Sequence, residues 1–147
     1  MKYTCTVTIN APLDRVVELW NDPTHFGQWQ DGFHSIELVE GNVDEVGAVS
    51  RIKMKIGKRD MELIETLLVC DLPREKKGLY EHVHMTNTQS SRFEAQGEGL
   101  TKYTSEVEYT KFNGPMINVM ARLFPGMFRK QSQKWMDQFK AFVEKQA

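Results

Sequence analysis

From Phe33 to Phe112 the chain repeats one pattern: short runs of alternating apolar and polar residues, separated by glycine, proline, asparagine or aspartate. Period-two alternation puts successive side chains on opposite faces, so each run reads as a half-buried β-strand. "FHSIELVE" ends at Gly41–Asn42. "AVSRIKMKI" follows Gly47 and sets Ile52, Met54 and Ile56 against Arg51, Lys53 and Lys55. Gly57–Lys58–Arg59–Asp60 reads as a hairpin turn, and "MELIETLLVC" as a longer strand closed by "DLP". "GLYEHVHM", "SSRFEAQGEG" and "TKYTSEVEYTKF" complete the series, with Gly97 and Gly99 turning the chain before the last.

Residues 3–9 add a strand at the start, with Tyr3, Cys5, Val7 and Ile9 on one face and three threonines on the other. Pro12 suits the first turn of a short helix carrying Val16, Leu19 and Trp20. Asp22 can cap a second short helix begun by Pro23 and ended at Gly27 or Asp31–Gly32. After the strands comes one long amphipathic stretch, interrupted by "LFPGMF", Leu123 to Phe128. Pro125 removes a backbone donor and clashes with the preceding turn, and glycine costs about 1 kcal/mol against alanine. The helix is therefore expected to kink or break at Pro125–Gly126. Its second half carries Phe128, Trp135, Phe139 and Phe142 on one face. A run of antiparallel strands followed by such a helix is α+β, because the sheet must cover the apolar stripe.

Composition narrows the function. The chain has 147 residues, enough for one domain, and a domain of that size buries about 68–70% of its unfolded surface. Nineteen basic and 20 acidic residues argue against a general phosphate-backbone binder, and "RIKMKIGKR" alternates as a solvated strand face, so no nucleic-acid partner is expected. Two cysteines in apparent strands, no apolar leader and no run of 18 apolar residues point to a cytoplasmic protein with no stable membrane insertion. No P-loop, G-x-S-x-G or G-x-G-x-x-G occurs, and "EGNVDEVG" lacks calcium-loop spacing. Neither cofactor nor metal is expected.

The order of elements, together with Ile9…Ala11–Pro12…Val16…Trp20…Asp22–Pro23…Trp29, Gly47, Val69–Cys70–Asp71–Leu72–Pro73 and Gly99…Thr101, resembles the START/Bet v 1-like (SRPBCC) superfamily and its polyketide cyclase/dehydrase-like small proteins. The resemblance covers nearly the whole chain. It implies one such domain over residues 1–147 with a helix-grip fold, a seven-stranded antiparallel sheet curved around the carboxyl-terminal helix over a cavity. It implies no single activity, since members carry lipids, bind hormones, cyclise polyketides or act as co-chaperones. The Pro125–Gly126 break would bend the first part of the helix away, with Met120, Phe124, Met127 and Phe128 crowding the cavity mouth.

The leading expectation is a monomer or homodimer that binds a small hydrophobic or aromatic molecule, lipid- or polyketide-like, in that cavity. Met54, Phe93, Tyr103, Met120, Phe124, Phe128 and Trp135 would wall it, and Tyr80, His82 and His84 would give polar contacts. Alternation places Tyr80, His82 and His84 on one face of "YEHVHM", but the opposite face, with Leu79, Val83 and Met85, also suits a core. Two histidines at i, i+2 match half a zinc site, but no further cluster has matching spacing. Glu65 shares a face with Met61, Leu63, Leu67 and Val69; a buried carboxylate there has a raised pKa and suits a general base. The alternative is thus a cyclase/dehydrase-type enzyme using a cavity histidine or Glu65 as acid/base, with Tyr80 as orienter; no catalytic residue is assigned.

Overall fold

The structure, a computed structural model, describes residues 1–146. Strand β1 (Lys2–Ile9) is followed by helix α1 (Leu13–Trp20), a 3₁₀ turn (Pro23–His25) and α2 (Phe26–Trp29). Then come β2 (Phe33–Glu40), β3 (Val49–Ile56), β4 (Arg59–Asp71), β5 (Glu75–Glu81), β6 (Met85–Gly97) and β7 (Leu100–Phe112). Helices α3 (Pro115–Leu123) and α4 (Gly126–Lys145) close the chain. The seven strands form one antiparallel sheet in the order β1-β7-β6-β5-β4-β3-β2.

Local chemistry sets the helices before the site. Asp22 accepts hydrogen bonds from the Thr24 backbone N–H (2.9 Å) and hydroxyl (2.7 Å), which fixes the turn that Pro23 opens. Gly32, at φ +83°, ends the α2 region; its carbonyl accepts from Lys55 N at 2.7 Å, and a Cβ there would lie 1.8 Å from the Lys55 carbonyl oxygen. Only glycine lets α2 approach β3 this closely.

The expected interruption is a full break. Helix α3 stops at Leu123, Phe124 leaves helical geometry (φ −129°, ψ 60°), and Pro125 caps α4. Met136, Phe139 and Val143 are buried on α4, with Phe139 wholly enclosed. They pack with Cys5, Val7 and Ile9 of β1 and with Val16, Leu19 and Trp29 in one core. Helix α4 also covers edge strand β1 through polar contacts: Lys140 Nζ donates to the Thr8 carbonyl (2.7 Å), the Asn10 N–H donates to Glu144 (2.9 Å), and Tyr3 Oη lies 2.8 Å from Ser132 Oγ. Covering an edge strand blocks its pairing with other chains.

One strand reading needs correction. "GLYEHVHM" is not continuous. Strand β5 ends at Glu81, and His82 and Met85 exchange both backbone hydrogen bonds (2.9 and 3.2 Å), so Val83 and His84 form a two-residue turn. Strand β6 consequently starts at Met85, five residues before the expected Ser90. No Gly, Pro, Asn or Asp marks this turn, so turn chemistry gave no signal there.

Candidate functional site

Alternation on the strands and the register between them build the floor of an internal cavity. On β5, Lys76, Gly78 and Tyr80 face inward; on β4, Leu63 and Glu65 do. Register sets Tyr80 directly opposite Glu65, Gln89 opposite Gly78, Ser91 opposite Lys76, and Ser105 opposite Ser91. The floor is therefore polar along a diagonal. The walls are Trp20 from α1, Phe26 and Trp29 from α2, Phe33 from β2, Ile52 and Met54 from β3, Tyr103 from β7, and Ser132, Trp135 and Met136 from α4. The cavity is partly open, with a volume of about 150 Å³. All three tryptophans of the chain line it.

At its centre Tyr80 Oη donates to Glu65 Oε2 at 2.8 Å. Burial pushes the Glu65 carboxyl above its ordinary range; the Tyr80 hydrogen bond and the Lys76 charge pull the other way and offset only part of the rise. The Tyr80 phenol is driven well above its usual value, first by burial and then by the adjacent Glu65 carboxylate. The pair thus favours one arrangement, phenol protonated and donating to the acid. Gly78 makes room for it: a Cβ on Gly78 would sit 2.9 Å from Tyr80 Cε2 and Oη and 3.0 Å from Cζ. To one side, Lys76 Nζ donates to Asn21 Oδ1 (2.6 Å) and Asp44 Oδ1 (2.8 Å), 6.0 Å from the centroid of the Trp20 ring. That links α1 to the β2–β3 loop beside the cavity.

Four of the ten residues expected around a ligand line the cavity: Met54, Tyr80, Tyr103 and Trp135. The other six lie elsewhere. Phe93 packs behind the wall, stacked on Tyr103 (4.6 Å between centroids) and edge-on to Trp20 (5.1 Å). Phe128 joins Tyr109 and Phe112 in a separate aromatic cluster. Met120 and Phe124 are exposed, because α3 turns its apolar side away from the sheet. His82 and His84 sit at the β5–β6 turn with ring centroids 5.4 Å apart. Burial and the neighbouring His84 lower the His82 pKa. Among the described residues no group of three or more His, Cys, Asp or Glu side chains is placed to hold a metal. Sequence reading missed Trp20, Trp29, Phe33, Lys76, Gln89, Ser91 and Ser105 as cavity residues. The inward series Lys76–Gly78–Tyr80 was available from alternation once Tyr80 was taken as inward; the helical residues had no such signal.

An antiparallel seven-stranded sheet wrapped on a carboxyl-terminal helix over an aromatic-walled cavity defines a helix-grip protein of the START/Bet v 1-like class. Residues 1–144 match the model of one family in it, and the chain belongs to the polyketide cyclase / dehydrase and lipid transport family. No curated protein matches it in sequence. Among solved structures, it is similar to a protein from Thermus thermophilus (TM-score 0.80, 15% identity, covering 100% of this chain and 99% of that one). It is similar to the Zhui aromatase/cyclase of a Streptomyces species (TM-score 0.77, 13% identity, 98% and 93% covered). It also resembles norcoclaurine synthase from Thalictrum flavum, solved with dopamine and hydroxybenzaldehyde (TM-score 0.70, 15% identity, 100% and 88% covered). At these identities the likeness is one of fold.

Proposed function

We propose that this protein binds a small aromatic molecule in the internal cavity, its ring held among the tryptophans and phenylalanines and a polar substituent placed on Glu65 and Tyr80. The carrying observation is the Tyr80–Glu65 pair, 2.8 Å apart, on the polar floor of a chamber walled largely by aromatic residues. A few convergent polar groups in an apolar pocket fix a ligand's orientation. Volume narrows the class: about 150 Å³ matches a cavity that accepts a benzene-sized ring. Of the lipid-like and polyketide-like ligands expected from the sequence, this favours an aromatic ring or a short polyketide-like piece.

The same pair supports a second reading, an acid/base enzyme of the cyclase/dehydrase type. Burial raises the Glu65 pKa, so its carboxyl keeps a proton to higher pH than an exposed one and can pass it to a substrate, and Tyr80 would orient it. Fluorescence tests the binding, since every tryptophan lines the site. Titration with phenol is expected to change that emission, and Tyr80→Phe to weaken binding about five- to tenfold, the loss of one hydrogen bond of roughly 1 kcal/mol or slightly more. If phenol and 1-naphthol both leave the emission unchanged, the binding reading fails. Turnover of a bound β-keto thioester probe that Glu65→Gln abolishes while binding persists would favour the enzyme.

A further inference from the structure

Helix α3 is inverted for a helix that packs on its own domain. Met116, Val119, Met120 and Leu123 recur at i, i+3, i+4 and i+7 and so share one face. That apolar face is the exposed one: Met116 is 71%, Val119 53% and Leu123 65% accessible, and no residue of α3 is buried. At the joint with α4 the face continues through Phe124, 60% accessible, and Met127. Leu123, Phe124, Met127, Lys130 and Lys134 line one open groove there.

The charge around this face is one-sided. Between Glu108 and Asp137 there is no acidic residue, although the chain has 20, while Lys111, Arg122, Arg129, Lys130 and Lys134 all fall there. Asp31 holds Lys134 at 2.9 Å. No ion pair among the described residues involves Arg122, Arg129 or Lys130.

We propose that α3 and the α3–α4 joint dock on the surface of an anionic phospholipid bilayer. The apolar row sinks to the boundary between headgroups and acyl chains, while Arg122 and Lys130 meet the lipid charge. Charge complementarity selects this occupant. A second copy meeting the same face would set Arg122 and Lys130 against their own counterparts, and the acid at this face, Asp31, is already engaged by Lys134. A neutral surface would match the apolar row but not the acid-free stretch. The contact is interfacial: α3 has nine residues, less than half of what a spanning helix needs. It does not depend on what the cavity holds.

Flotation with vesicles tests this, using phosphatidylcholine alone and phosphatidylcholine mixed with phosphatidylglycerol. The protein should float with the mixed vesicles only, and less as salt rises, because screening weakens surface charge interactions. Lys130→Ala should reduce affinity about fivefold, the share of one basic residue near such a surface. Leu123→Glu should reduce it at least tenfold. Both positions are exposed, so circular dichroism and thermal unfolding should match wild type. Tryptophan at Phe124 (Phe124→Trp) should shift its emission to the blue with mixed vesicles. Equal flotation with both vesicle types, no flotation, or Leu123→Glu floating like wild type would each overturn the proposal. So would a Leu123-dependent dimer, seen by light scattering, that stays off the vesicles.

Discussion

Gly78→Ala tests whether an absent side chain holds the cavity's polar pair in place. The new Cβ would lie 2.9–3.0 Å from Cε2, Cζ and Oη of Tyr80, against ordinary contacts of 3.4 Å or more. The ring must therefore shift by roughly half an ångström. Its hydroxyl donates to Glu65 at 2.8 Å, so such a shift takes the bond beyond good geometry. A hydrogen bond to a charged group contributes about 1.5–3 kcal/mol, and replacing a strand glycine returns about 0.5–1 kcal/mol. The net expectation is a loss of about 1–2 kcal/mol, or roughly 3–6 °C in Tm for a chain of this length. Thermal unfolding measures the stability, and ¹³C NMR titration of the Glu65 carboxyl reports the pair. That pKa should rise further, because the Tyr80 hydrogen bond now lowers it. A variant as stable as wild type, with the Glu65 titration unmoved, would refute the argument that Gly78 positions Tyr80.

Glu65→Gln keeps the shape and an acceptor for Tyr80 but removes the ionisation. The Glu65 pKa is raised in the fold, so the stability tied to its proton is complete below the unfolded value and lost as pH rises through the folded one. The gain of Glu65→Gln over wild type should therefore grow with pH across that window and level off above it, as denaturant melts at several pH values will show. Phe139→Ala removes the largest wholly buried side chain and should cost about 3–5 kcal/mol in a urea melt. Gly32→Ala meets both a left-handed backbone and the Lys55 carbonyl, and should cost more than about 2 kcal/mol by the same measurement. His82 should titrate below its usual value by NMR and stay unmoved when the cavity is filled, since it sits at the β5–β6 turn.

The sequence determined the elements that local rules control. Period-two alternation gave the seven strands, and Pro125–Gly126 gave the break between α3 and α4, because backbone sterics act whatever surrounds them. Alternation also set Glu65 with Leu63 on an inward face. Tertiary structure decided which faces meet. Tyr80 reaches Glu65 through the β4–β5 pairing, whose register shifts between Leu67 and Val69 before setting the two residues opposite each other, and the turn that ends β5 at His82 carries no signature residue. Reading that segment as one strand left its inward face open and so kept His82 and His84 as candidates for the cavity, whereas strand β5 ends before it reaches them. Helix α3 shows the same limit. Its amphipathic spacing was legible, but spacing says only that one face is apolar. In the fold that face is turned outward, with Met120 and Phe124 in solvent, while Trp20, Trp29 and Trp135 wall the cavity.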